Sequence, residues 1–85
     1  MEPDLMTADQ LAPLAMGRVI DLTLNGALRR RLLDLGVIPG TVIRRRHTAP
    51  SGSPIAYEIQ GAVVALRKVD AAKVFIQEVS APWTP

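Results

Sequence analysis

Apolar and polar positions follow two periods along this chain, and the period switches where glycine and proline fall. From Arg18 to Leu24 the alternation is two, with Ile20, Leu22 and Leu24 on one face and Val19, Asp21 and Thr23 on the other, which predicts a half-buried strand. Asn25-Gly26 breaks it, and Asn25 is a good N-cap for a helix. Leu28, Leu32 and Leu35 then recur at i, i+4 and i+7, an apolar stripe that predicts a helix over Ala27 to Leu35. On it, Arg30 and Asp34 are spaced to pair across one turn. Gly36 supplies the left-handed position that ends the helix, with Val37 packing back. Pro39-Gly40 fits the centre of a type II turn. The period returns to two from Thr41 to Thr48, a strand with bases through its middle. Beyond a Pro50–Pro54 loop, Ile55, Tyr57 and Ile59 alternate with Ala56, Glu58 and Gln60. A turn at Gly61 leads to Ala62–Leu66, apolar on both faces as in a buried strand, and the two runs read as a hairpin. Val69–Lys73 is a short helical turn, Val74–Val79 a last strand and Ala81–Pro85 a loose tail. At the start, Thr7-Ala8-Asp9-Gln10 is a capping box flanked by Met6 and Leu11 as a hydrophobic staple, and Pro13 stops that helix within a turn or two.

The pattern therefore predicts a mainly β fold with short helices. It is a small, partly open barrel of about five strands, with one helix inserted between the first and second. A length of 85 residues with 48% hydrophobic and 21% charged fits one domain over residues 1–85, with a core from about 7 to 79. No cysteine is present, which excludes disulfides, thiolate metal sites and a cysteine nucleophile. Glu2, Asp4 and Asp9 without a base argue against a targeting leader, and no apolar run approaches a bilayer span, so the expected location is cytoplasmic.

Charge sharpens the picture more than composition does. The net charge is only +2, yet between Leu28 and His47 six arginines face one acid, Asp34. They form two triplets, Arg29-Arg30-Arg31 and Arg44-Arg45-Arg46. Material for catalysis is thin. His47 reads as a polar strand residue, and Asp21, Asp34, Glu58 and Asp70 are scattered singly, with no ligand spacing and no phosphate loop. Single-strand recognition needs aromatic platforms, but Tyr57 and Phe75 suit a core and Trp83 lies in the tail. The triplets are left as a solvated face, a protein-binding patch or a nucleic-acid patch. Leu33 falls off the apolar stripe, on the side of Arg29. It is either covered by neighbouring core or an apolar anchor beside arginines, the composition of a protein interface.

The run Ala27-Leu28-Arg29-Arg30-Arg31-Leu32-Leu33-Asp34-Leu35-Gly36-Val37-Ile38-Pro39-Gly40-Thr41 closely resembles the FeoA family. Ala49-Pro50, Ser53-Pro54-Ile55, Ala65-Leu66-Arg67 and Asp70-Ala71-Ala72 come after it in family order, so the likeness spans Thr7 to Val79. The resemblance implies an SH3-like fold and a non-catalytic accessory protein of ferrous iron uptake, without a cofactor or a metal site. The implied partner is the cytosolic G-protein part of a FeoB-type membrane transporter. Arg29, Arg30, Arg31, Leu32 and Leu33 would be the partner-contacting residues, with Gly36, Pro39 and Gly40 as the structural turn. No nucleic acid and no membrane insertion are implied, and self-association is left open. Because the same fold forms a domain of iron-dependent repressors, the alternative is a stand-alone regulatory domain acting in metal-dependent transcription control or at nucleic acid. Three departures stand out. Ser53 replaces a usual Asp. Pro13-Leu14 replaces a usual Pro-Gly. Arg45 and Arg46 occupy a usually more apolar stretch, turning the strand outward or enlarging the basic face.

Overall fold

Six antiparallel strands form one sheet in the computed structural model, which describes residues 5–79. The strands are β1 (Leu5–Thr7), β2 (Met16–Leu22), β3 (Val42–Thr48), β4 (Ile55–Ile59), β5 (Ala62–Leu66) and β6 (Val74–Val79), in the spatial order β1-β6-β2-β3-β4-β5. Helix α1 (Gly26–Asp34) lies between β2 and β3, and the short α2 (Lys68–Ala71) precedes β6. The count exceeds the sequence expectation by β1, whose three residues are too few to show a period. It pairs Leu5↔Gln77, Met6↔Ile76 and Thr7↔Phe75 against β6. The ladder does not close, and β1 and β5 are its edges. No helix among the described residues is long and apolar enough to cross a membrane. The expected tail, Ala81–Pro85, lies outside the described residues.

Two strand faces differ from the alternation. On β2, Val19 is fully buried while Ile20 is 38% exposed, the reverse of the expected faces. A bulge between Val19 and Asp21 adds one residue, so Val19 and Leu22 both point inward although they are three apart. On β5, Val64 and Leu66 are buried but Val63 is 65% exposed, so the strand is covered on one face only. It is an edge strand, and its outer apolar residues meet no further layer among the described residues. The β4–β5 hairpin turns through Gln60 and Gly61 at φ 49° and 85°, the two positive values of a type I′ turn.

The core joins every element. Leu11, Val19, Leu32, Ile55, Tyr57, Val74 and Ile76 are its largest fully buried side chains. Each such aliphatic burial contributes about 1.5–3 kcal/mol. Thr7 N–H donates to Gln10 Oε1 at 2.9 Å and its hydroxyl donates to the Asp9 carboxylate, which starts a single 3₁₀ turn over Ala8–Gln10. That turn carries Leu11 into the core. Pro13 then occupies the first central position of a tight turn closed by Ala15 N–H to Ala12 O at 3.0 Å. Leu14, at the second, has φ 67°, where a non-glycine residue costs about 1–2 kcal/mol.

Candidate partner-binding site

Helix α1 is pinned from beneath and at its end. Leu32 is fully buried, and Leu28, Leu33 and Leu35 pack against the core from its margin. At the C-terminus, Val37 N–H donates to Leu32 O at 2.9 Å and Gly36 N–H to Leu33 O at 3.0 Å, the two bonds of a Schellman motif, with Gly36 at φ 99°. Thr41 N–H to Ile38 O at 3.0 Å, with Gly40 also at φ 99°, closes the expected turn around Pro39-Gly40. These bonds fix where the helix surface points.

That surface is cationic. Arg29, Arg30 and Arg31 are exposed, and among the described residues none makes a side-chain hydrogen bond or ion pair. The expected Arg30–Asp34 pair does not form, which leaves three guanidinium groups uncommitted on one helix. The two leucines part company. Leu32 belongs wholly to the core, so it supports the helix and is removed from the contacting set by its burial. Leu33 is half-buried against the core and leaves one edge beside the arginines.

The second triplet is split by the strand's own parity. Arg44 and Arg46 are exposed on β3 while Arg45 turns the other way. Arg45 Nη1 donates to the Asp9 and Leu11 carbonyls at 3.1 and 2.6 Å, and its Nε and Nη2 donate to Thr48 Oγ1 at 3.1 and 2.8 Å. Its backbone also pairs with Leu14 N–H and Ala15 O at 2.9 and 3.0 Å. Arg45 therefore ties the entry segment to the sheet, a role that sequence reading missed and that period-two parity alone could have raised. Arg46 instead pairs with Glu58 at 2.8 Å. The Tyr57 side chain opposite Arg45 is fully buried and its hydroxyl has no partner among the described residues. Burial pushes this phenol well above its ordinary range, against a smaller opposing pull from the Arg45 charge.

Ser53 acts as an acceptor, since Lys68 N–H donates to its Oγ at 3.0 Å at the start of α2. His47 is exposed on β3. Among the described residues no three His, Cys, Asp or Glu side chains cluster as metal ligands.

Three comparisons place the chain among known proteins. The FeoA domain family matches residues 6–78. A Porphyromonas gingivalis protein described as an Fe(2+) transport protein A/Fe(2+) transporter FeoB fusion is 31% identical over 81 residues, covering 95% of this chain and 9% of that one. The chain thus spans under a tenth of the length of that relative. The solution structure of FeoA from Chlorobium tepidum superposes with a TM-score of 0.85 at 26% identity, over 92% of this chain and 74% of that one. Stenotrophomonas maltophilia FeoA, crystallised with zinc and described as a prokaryotic SH3 domain protein, gives 0.72 at 30% identity, over 85% and 89%. The six-stranded sheet with its short helices is the SH3-like arrangement of these neighbours. With a family match over nearly the whole described chain, the same fold and the helix-to-turn motif in place, the chain belongs to the FeoA family of ferrous iron transport.

Proposed function

We propose that this chain is an accessory protein of ferrous iron uptake that works at the cytoplasmic side by docking the α1 face onto the cytosolic G-protein part of a FeoB-type transporter. The observation that carries the reading is that Arg29, Arg30 and Arg31, fanned about 100° apart around α1, are all exposed and, among the described residues, unpaired, on a helix whose end is fixed by two turns. An unpaired guanidinium offers five donors to a partner carboxylate and has no intramolecular ion pair to break first, only water to shed. The half-buried edge of Leu33 adds apolar contact beside them. The fusion relative carries FeoA and FeoB parts in one polypeptide, which favours the transporter as the partner here. Docking of this kind associates by charge steering and weakens with salt.

Isothermal titration of the transporter's soluble G domain with wild type and with an Arg29→Glu/Arg30→Glu/Arg31→Glu variant tests it. The wild type is expected to bind with an affinity that falls as salt rises. The variant, shown folded by its circular dichroism, is expected to bind at least about tenfold more weakly, a loss of about 1.4 kcal/mol. Equal binding by the folded variant removes α1 as the contact.

A further inference from the structure

A second surface lies on the outer face of the sheet. Directly paired residues in antiparallel strands point to the same side. The registers Val79↔Met16, Met16↔Arg44, Arg44↔Glu58 and Glu58↔Val63 therefore lay one row across five strands. Buried Ile43 separates Arg44 from Val42 along β3, so this row and Val42 face away from the core. Within it, Met16, Val42, Arg44, Glu58, Gln60 and Gly61 surround an open cleft of about 290 Å³. That is at the small end of ligand sites, with room for a side chain or two.

The chemistry of the walls is unequal. Glu58 faces Arg44 across the ladder, yet its carboxylate is taken by Arg46 at 2.8 Å. Among the described residues Arg44 has only the Met16 sulfur at 3.5 Å, a weak acceptor. Arg18, two residues from Met16 on the same face, is already donating to the Gly40 carbonyl at 3.1 Å. An uncommitted guanidinium thus stands over an apolar floor formed by Met16 and Val42. The bases of a nucleic acid would find no aromatic in the cleft lining to stack on. An aliphatic side chain flanked by a single carboxylate satisfies both the floor and Arg44.

We propose that this cleft is a peptide-binding site that takes an aliphatic side chain of a partner protein, with a neighbouring Asp or Glu held by Arg44. It does not depend on the α1 reading, because none of the three α1 arginines lines the cleft. It gives the second triplet a division of labour. Arg45 braces the fold, Arg46 neutralises Glu58, and Arg44 is left to recognise.

The test is a titration of ¹⁵N-labelled protein with the peptide acetyl-Gly-Leu-Asp-Leu-Glu-Gly-amide. Its lysine counterpart, acetyl-Gly-Leu-Lys-Leu-Lys-Gly-amide, and an oligothymidylate are titrated in parallel. Saturable amide shifts at Met16, Val42, Arg44 and Gly61 are expected with the acidic peptide only, with a dissociation constant on the order of 1 mM. Arg44→Gln is expected to weaken that binding at least about tenfold, whereas Lys73→Gln, an exposed cation before the opposite end of β6, leaves it unchanged. Absence of saturable shifts at the cleft overturns the proposal. So do equal shifts with the lysine peptide, preferential occupation by the oligothymidylate, or an Arg44→Gln protein that binds like wild type.

Discussion

Replacing Arg45 by Met removes the guanidinium while keeping an apolar stem of similar length. Four contacts go with it, two to the carbonyls of Asp9 and Leu11 and two to Thr48 Oγ1. Hydrogen bonds to charged groups contribute about 1.5–3 kcal/mol each. The group is only partly buried, so the low end applies to the two backbone bonds, about 3 kcal/mol together. The Thr48 contacts, shared on one oxygen, are left out as a margin. A chain of this size has about 4–13 kcal/mol of stability in all, so the loss is a quarter of it or more. Urea unfolding monitored by circular dichroism is expected to show the midpoint falling at an unchanged slope, since the same surface is exposed. The thermal midpoint is expected to drop by about 12–24 °C. Arg45→Lys, whose single ammonium cannot span both carbonyls and Thr48, should fall between. A cycle with Thr48→Val is expected to show coupling of at least about 0.5 kcal/mol. An Arg45→Met protein within about 0.5 kcal/mol of wild type would refute the assignment of Arg45 as the brace of the entry segment.

Leu14→Gly releases the left-handed strain at φ 67° while giving up a side chain that is 64% exposed. A net gain of about 0.5–1 kcal/mol is expected in urea unfolding, and a loss would mean that the side chain makes a contact of its own. Tyr57→Phe deletes a buried hydroxyl that has no partner among the described residues and is expected to be neutral or up to about 1 kcal/mol stabilising. Because the folded chain keeps the Tyr57 proton above pH about 10 while the unfolded chain releases it, wild-type stability is expected to fall as pH rises past that point. Urea titrations should show the fall lessened in Tyr57→Phe. Gly17→Ala would set a Cβ 2.5 Å from Ile76 Cδ1 and is expected to cost about 1–3 kcal/mol, with part of it recovered when Ile76→Val removes that methyl. An oligonucleotide titrated at low salt is expected to give a flat signal, and steep salt-dependent binding would favour the repressor-type reading instead.

Local chemistry made much of this fold legible. The Gly36 end of α1 and the Pro39-Gly40 turn come from backbone freedom at single residues, and the structure carries both with the predicted bonds. Ile55, Tyr57 and Ile59 are buried as their spacing required. What escaped were features that depend on a partner strand. The bulge beside Ile20 reverses the β2 faces, and nothing local marks a bulge where no glycine is needed. The Ala62–Leu66 run looks the same in sequence whether it is central or at an edge, and only the sheet order decides. The site was legible in part. Arg29–Arg31 could be located on a helix, but the depth of Leu32 and the freedom of the Arg30 side chain depend on packing across the molecule. The two arginine triplets are alike as sequence and differ because a helix leaves all three side chains exposed where a strand divides them by parity.

The place of β6 between β1 and β2 bears on how the chain comes into being. The sixth strand enters a slot flanked by the first two, pairing with Leu5–Thr7 on one side and Met16–Leu22 on the other. While translation proceeds, β3, β4 and β5 can zip in series through short connections and β2 can join β3 across the α1 segment, but among the described residues β1 has no neighbour to bond until Val74–Val79 arrives. The nascent chain therefore carries an unfinished edge along β2, a temporary template for any extended segment nearby. Completion of this sheet therefore waits on Val74–Val79, because that one segment supplies the pairing that both β1 and the free side of β2 lack.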